Sequence, residues 1–282
     1  VKVVRTIAAL REARREWPVL GLVPTMGFLH AGHLSLLHRA RAECGASAAS
    51  IFVNPAQFGP TEDLSRYPRD LQRDLALLEE AGTALVFVPE VEEIYPPGFS
   101  CRIEVGGIGD VLEGAVRPGH FSGVATVVTK LLNIFQPTRA YFGQKDAQQS
   151  VVIRRLVRDL DLPVEIVVGA TVREADGLAM SSRNVYLTPA QRETAPILYR
   201  ALRAAARRFD EGERRAESVR AAMLAMLSDE SALRLDYVSV ADPLTLRELE
   251  GTFDSALLSV AARFGETRLI DNVLLAAGTI ES

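Results

Sequence analysis

The sequence predicts an α/β protein, a Rossmann-like parallel sheet domain followed by a smaller α+β domain, and three observations lead there. Short apolar runs alternate with helix-period segments over residues 1–173. From Thr188-Pro189 onward two helical patterns come in succession and three strand patterns follow them, so the boundary is placed between residues 173 and 174. Finally, 282 residues with 48% hydrophobic and 24% charged side chains suffice for two full cores.

Taken in order, Val1–Val4 reads as a strand and Thr6 caps a helix carrying Leu10 and Ala13. Val19–Val23 is an apolar run suited to a strand buried on both faces. The loop Pro24-Thr25-Met26-Gly27-Phe28-Leu29-His30-Ala31-Gly32-His33 enters a helix expected to begin near Ala31 or Gly32, because Leu34, Leu37 and Ala40 fall at helical spacing. Gly27 and Gly32 allow close backbone approach, and the helix N-terminus favours a phosphate. His30 and His33 lie one turn apart and suit charge building on a transferring phosphoryl group. A glycine-containing helix start with two solvated histidines is the competing reading. A zinc pair has no further ligand at suitable spacing, so no metal site is expected.

Ala46–Val53 is the next strand, stopped by Asn54-Pro55. The polar segment Gly59–Arg73 runs into a helix through Leu71, Leu75 and Leu78 and is a candidate lid; Ala84–Pro89 is a further strand. Residues 89–123 read as irregular, and Gly106-Gly107-Ile108-Gly109 lacks the following helix of a phosphate loop. Arg117-Pro118-Gly119-His120 precedes an apolar helix, Val124–Phe135, and is either an anion site or a plain turn.

Arg139–Phe142 is a short strand leading into Gly143-Gln144-Lys145-Asp146. Asp146 with Gln149 resembles a helix capping box, while Lys145 on a phosphate and Asp146 on a ribose hydroxyl is the functional alternative. Lysine occurs only at positions 2, 130 and 145, which sets Lys145 apart. Val164–Val168 is a strand, and Met180-Ser181-Ser182-Arg183 can wrap a polyphosphate or be an ordinary loop. The tail reads as a long helix from Pro189 to about Phe209, a second over Ala216–Leu227, and strands at Leu235–Val240, Ala256–Ala262 and Thr267–Leu275.

With 32 basic against 36 acidic residues the net charge is −4, which argues against broad nucleic-acid binding. No run approaches the roughly 18 apolar residues of a membrane span, and Val1–Arg5 lacks a signal-peptide core. Cys44 and Cys101 stand in no redox or metal motif. The expected location is the cytoplasm.

The loop from Pro24 to His33 resembles the HIGH signature of class I aminoacyl-tRNA synthetases and related nucleotidylyltransferases, and Met180–Arg183 looks like a shortened form of their second, KMSKS-type loop. Together with Phe52-Val53-Asn54-Pro55-Ala56-Gln57-Phe58, Arg117–Phe121, Phe142–Asp146 and Ser181–Asn184, the chain resembles the pantothenate synthetase family along essentially its whole length. That resemblance implies an ATP-dependent ligase joining (R)-pantoate to β-alanine through a pantoyl adenylate, with Mg2+ arriving on ATP. It implies that Met26, Gly27, Phe28, Leu29, His30, Ala31, Gly32, His33, Gly143, Gln144, Lys145, Asp146, Val172, Met180, Ser181, Ser182 and Arg183 contact ATP. His33 would be the proton donor, assisted by His30 and Lys145; Gln57 and Gln149 would hold pantoate, and Gln57 also β-alanine. Asn54 and Tyr67 are further candidates beside that pocket. A homodimer with the C-terminal domain as a lid over ATP is implied too. The rivals are a nucleotidylyltransferase that passes AMP to a phosphorylated acceptor, a tRNA-charging or tRNA-sensing protein, and a non-catalytic ATP-binding module.

Overall fold

The computed structural model describes residues 1–60, 62–228 and 230–276. Strand β1 (Lys2–Val4) leads to α1 (Ile7–Arg14), whose N-cap Thr6 accepts the Ala9 N–H. Next come β2 (Gly21–Thr25), α2 (Ala31–Cys44) and β3 (Ser47–Ile51). α3 (Leu71–Glu80), β4 (Leu85–Phe87) and the short helices α4 (Val91–Ile94) and α5 (Glu113–Val116) follow. The series closes with α6 (His120–Phe135), β5 (Arg139–Gly143), α7 (Ala147–Asp159) and β6 (Glu165–Gly169).

These six strands form one parallel sheet in the order β1-β4-β3-β2-β5-β6. Alternate side chains serve opposite faces. Leu22, Leu85 and Phe87 join α1, α6 and α7 in one core, while Val23 and Val86 join α2 and α3 in another. The order reverses between β2 and β5, the switch point where such sheets bind ligands beyond the strand C-termini. The two strands also part early. β2 pairs with β3 through all five residues but with β5 only at Gly21 and Leu22, whereas β5 continues beside β6 to Gly143. A cleft opens between them.

That divergence explains one difference from the sequence reading. β2 starts at Gly21, two residues later than the apolar run predicts, and includes Pro24, which the sequence places in the loop. Pro24 falls beyond the last β2–β5 pair, so its missing N–H breaks no ladder there. The other strand at this centre, β3, ends at Ile51 instead of Val53.

Further differences have local causes. Residues 89–123 hold α4 and α5, too short to show a period in sequence. α6 begins at His120, four residues before Val124, because Gly119 turns the chain at φ 81°. The long C-terminal helix is two, α8 (Pro189–Thr194) and α9 (Ile197–Asp210), since Pro196 has no N–H to carry the ladder through.

α10 (Ala216–Ser228) follows, then β7 (Arg234–Ala241), β8 (Ser255–Phe264) and β9 (Thr267–Ala276), an antiparallel sheet in the order β7-β8-β9. α9 and α10 bury Leu198, Leu202, Phe209 and Met223 against Val240, Leu258 and Phe264 in a separate core. Among the described residues no helix is long and apolar enough to cross a membrane.

Candidate active site

A cavity sits over the cleft between β2 and β5. Its wall takes Met26, His30, Gly32 and His33 from the first loop, and Gly143, Lys145, Asp146 and Gln149 from the β5–α7 corner. Val172, Met180, Ser181, Ser182 and Arg183 come from the segment after β6, and Gln57, Tyr67, Arg117 and His120 complete it. The five sequence motifs therefore converge on one place.

The first loop is held in an uncommon shape. Gly27 stands at φ 84° and Phe28 at φ 51°, a region that a side-chain-bearing residue enters only under constraint. Asp74 of α3 supplies the constraint: its carboxylate accepts the N–H of Phe28 and of Leu29, both at 2.7 Å. The side chain of Asp74 is 1% exposed, and burial raises its pKa despite those bonds. Sequence reading misses this residue, since an aspartate in a first helical turn also reads as dipole compensation.

His30 and His33 are both N-terminal caps of α2. His30 Nδ1 accepts the Gly32 N–H at 3.2 Å, and His33 Nδ1 accepts the His30 N–H at 3.3 Å. A nitrogen that accepts carries no proton, so each neutral ring is protonated on Nε2. The pKa of His30 is pulled down to about 4 by burial and by the charge of Lys145. That of His33 lies well below its usual value through burial, His30 and Lys145. Their ring centroids are 4.1 Å apart. Gly32 leaves room for the His30 ring, since a Cβ would stand 2.9 Å from His30 Cε1 and push it aside. The pair is thus two neutral N–H donors at a helix start, an arrangement suited to phosphoryl oxygens. Both rings are half-buried and engaged in cap bonds instead of standing free in solvent.

Other predicted residues divide between lining the cavity and shaping it. Gly27, Phe28 and Leu29 belong to the loop backbone, with Leu29 fully buried, and Ala31 is the first residue of α2. Gln144 bonds to Asn272 of β9, whose amide also donates to the carbonyls of Gln144 and Lys145 at 2.9 and 2.8 Å. Asn272 is not legible in the sequence as a site residue. Asp146 makes no side-chain cap bond, so the capping box expected with Gln149 does not form, and Gln149 lines the cavity instead. Asn54 is 1% exposed; its Oδ1 accepts from Ala56 and Tyr95 and its Nδ2 donates to Gln57 and Gly123. It is the brace of the turn that carries Gln57.

The segments also meet each other. Ser182 Oγ donates to the Phe28 carbonyl at 3.1 Å, joining the second loop to the first. Arg183 forks onto Asp63 at 2.9 and 3.0 Å, and Arg117 onto Glu62 at 2.7 Å through both arms. Burial pushes both carboxyls up, but the arginines outweigh it and hold each below its usual range. The consecutive acids Glu62 and Asp63 therefore tie their segment to two arginines of the cavity wall. Among the described residues no group of three or more His, Cys, Asp or Glu is placed to hold a metal ion.

Comparison with known proteins gives a consistent result. The Pantoate-beta-alanine ligase family model matches residues 2–274. The pantothenate synthetase of Chloroflexus aurantiacus is 64% identical over 276 residues, 98% of each chain. That of Herpetosiphon aurantiacus is 61% identical over 277 residues, covering 98% of this chain and all of its own. The crystal structure of pantothenate synthetase from Thermus thermophilus superposes with a TM-score of 0.93 at 54% identity, covering 97% of this chain and 99% of that one. A pantoate-beta-alanine ligase from Francisella tularensis, complexed with Beta-gamma ATP and Beta-alanine, superposes with a TM-score of 0.80 at 36% identity over 97% of both chains. By these matches the chain belongs to the pantoate-beta-alanine ligase family and is an enzyme of that kind.

Proposed function

We propose that the enzyme activates (R)-pantoate with Mg-ATP to a pantoyl adenylate and then passes the acyl group to β-alanine, releasing pyrophosphate and AMP. The observation that carries this is the pair of neutral imidazoles, each fixed by its cap bond as an Nε2–H donor, beside Lys145 and facing a cavity that also holds Gln57 and Gln149. In the first step a carboxylate oxygen of pantoate bonds to the α-phosphorus and the bond to the pyrophosphate oxygen breaks. His30, His33 and Lys145 donate to the oxygens that gain charge. The triphosphate end lies against Ser181, Ser182 and Arg183, and Gln57 and Gln149 hold pantoate through groups that both donate and accept. In the second step the β-alanine amine attacks the acyl carbon, loses a proton, and AMP leaves.

Burial and neighbouring charge hold the pKa of His33 well below its usual value, so its ring meets the substrate as a neutral Nε2–H donor in the proton-donor position. Mg2+ comes as part of the substrate, held by the phosphate oxygens it accompanies. Residues 174–282 serve as the lid over ATP; the reach of Asn272 to the Lys145 corner supports that role. Excluding water protects the adenylate from hydrolysis. A cytoplasmic homodimer belongs to the same proposal, supported by the family resemblance and by the free thiols of Cys44 and Cys101.

The test is pyrophosphate release with ATP and pantoate, with and without β-alanine. Pantoate-dependent release is expected in both, and continuous turnover only with β-alanine. Absence of pantoate-dependent release overturns the proposal.

A further inference from the structure

Among the described residues, the cationic side chains lining the cavity are Arg117, Lys145 and Arg183. Lys145 and Arg183 belong to the nucleotide end, beside His30 and in the second loop. Arg117 stands apart, at the C-terminal end of α5 just before α6, and is linked to Gln57 through His120. The reaction brings two organic carboxylates to this cavity. That of pantoate is the nucleophile, and a bidentate arginine would withhold the electron pairs it must use. That of β-alanine is a spectator in both steps, so an arginine can hold it throughout.

The geometry at Arg117 fits a carboxylate. Its Nε and Nη2 clasp the two oxygens of Glu62 at 2.7 Å each, the parallel fork that guanidinium and carboxylate share. Nη1 points to His120 Nε2 at 3.0 Å. Arginine only donates, so Nε2 accepts and the ring proton sits on Nδ1, from which it reaches the Gln57 carbonyl at 2.9 Å. Burial and the Arg117 charge bring the His120 pKa down to about 4, consistent with that neutral form. One guanidinium edge is therefore locked to the turn that carries Gln57, and the other presents the fork. Arg117 and His120 also border the smaller adjoining cavity with Gln149, so the fork lies where the two spaces meet.

We infer that Arg117 receives the carboxylate of β-alanine, a place that Glu62 fills in this structure, and that this ion pair selects an amino acid over a plain amine as acyl acceptor. His120 is the positioning residue that aims the fork. The inference rests on the ligase reading, and the two fail separately.

The experiment compares β-alanine with n-propylamine, which has the same chain length and a methyl group in place of the carboxylate, as acceptors for the wild type and Arg117→Gln. Pantoate-dependent exchange of pyrophosphate into ATP is measured alongside without any acceptor. Exchange is expected to stay within about threefold of wild type. The KM for β-alanine should rise roughly 10- to 100-fold, the range of a lost charge-assisted hydrogen-bond pair, and the preference for β-alanine over propylamine should shrink by a similar factor. Arg117→Lys, which keeps the charge and loses the fork, should fall between, and it serves as the test should the glutamine variant not fold. Glu62→Gln should lower the KM for β-alanine by weakening its competitor. An unchanged preference in a folded variant, or exchange lost together with it, overturns the assignment. Wild type without exchange would instead overturn the ligase reading.

Discussion

Asp74 accepts the backbone N–H of Phe28 at 2.7 Å while Phe28 stands at φ 51°, so a buried carboxylate on α3 holds the left-handed residue of the loop between β2 and α2. Replacing Asp74 with alanine leaves two N–H groups without their acceptor, at a cost of about 1–3 kcal/mol for each buried unsatisfied donor. The expected outcome is a lower urea midpoint and a raised KM for ATP. Asp74→Asn keeps one acceptor oxygen and should fall between. An alanine variant with wild-type ATP kinetics would show that the loop keeps its shape unaided.

His33 has two functions in one ring, and two substitutions separate them. Alanine removes the Nε2–H donor and the cap acceptor together. Asparagine places an oxygen near the Nδ1 position and keeps only the cap. Both are expected to lose roughly 10²- to 10³-fold in pantoate-dependent pyrophosphate release. Only alanine should also lose about 0.5–2 kcal/mol of stability. Thermal melts and single-turnover adenylation read the two effects independently.

Gly123 allows α6 to cross the turn that carries Gln57. A Cβ there would lie 2.2 Å from the Ala56 carbonyl oxygen and 2.7 Å from Gln57 Cα, both backbone atoms. Gly123→Ala should cost about 1–3 kcal/mol and raise the KM for pantoate as the turn shifts. Gly106→Ala, where a Cβ meets nothing within 4 Å, is the control and should stay within about 0.5 kcal/mol of wild type.

Three histidines are held neutral: His30 and His120 with pKa values of about 4 and His33 well below its usual value. In the unfolded chain each titrates at about 6.5. As pH falls through that value the unfolded state takes up protons that the native state refuses, so stability declines, levelling only when the native rings protonate. Urea midpoints should fall between about pH 6.5 and 5, above the range of the carboxylates. His120→Asn, which keeps a donor for the Gln57 carbonyl, should show a shallower decline. A flat midpoint across that interval would contradict the neutral assignments.

Legibility in the sequence follows the distance over which each residue acts. His30, His33, Lys145 and Gln149 can be read because they sit where strands hand over to helices, a position set by short-range pattern. Asp74 reaches its partners across 46 and 45 positions, and Asp63 reaches Arg183 across 120, so neither spacing nor period reveals them. Pro24 misleads for a related reason: whether a proline can sit in a strand depends on which neighbour is still paired there, and that is a property of the sheet. The C-terminal β-strands are visible in sequence but look shorter than they are, since some of their terminal residues are polar or charged while still on the ladder, as with Arg234 and Arg263.

The cap bonds of His30 and His33 make the choice of tautomer an outcome of folding. A ring carrying its proton on Nδ1 would point that proton at a backbone N–H and forfeit its cap at the start of α2. The same bonds that start the helix therefore favour both rings in the form that donates outward. Folding of one turn thus biases the proton arrangement of both rings by about the 0.5–2 kcal/mol that a cap is worth.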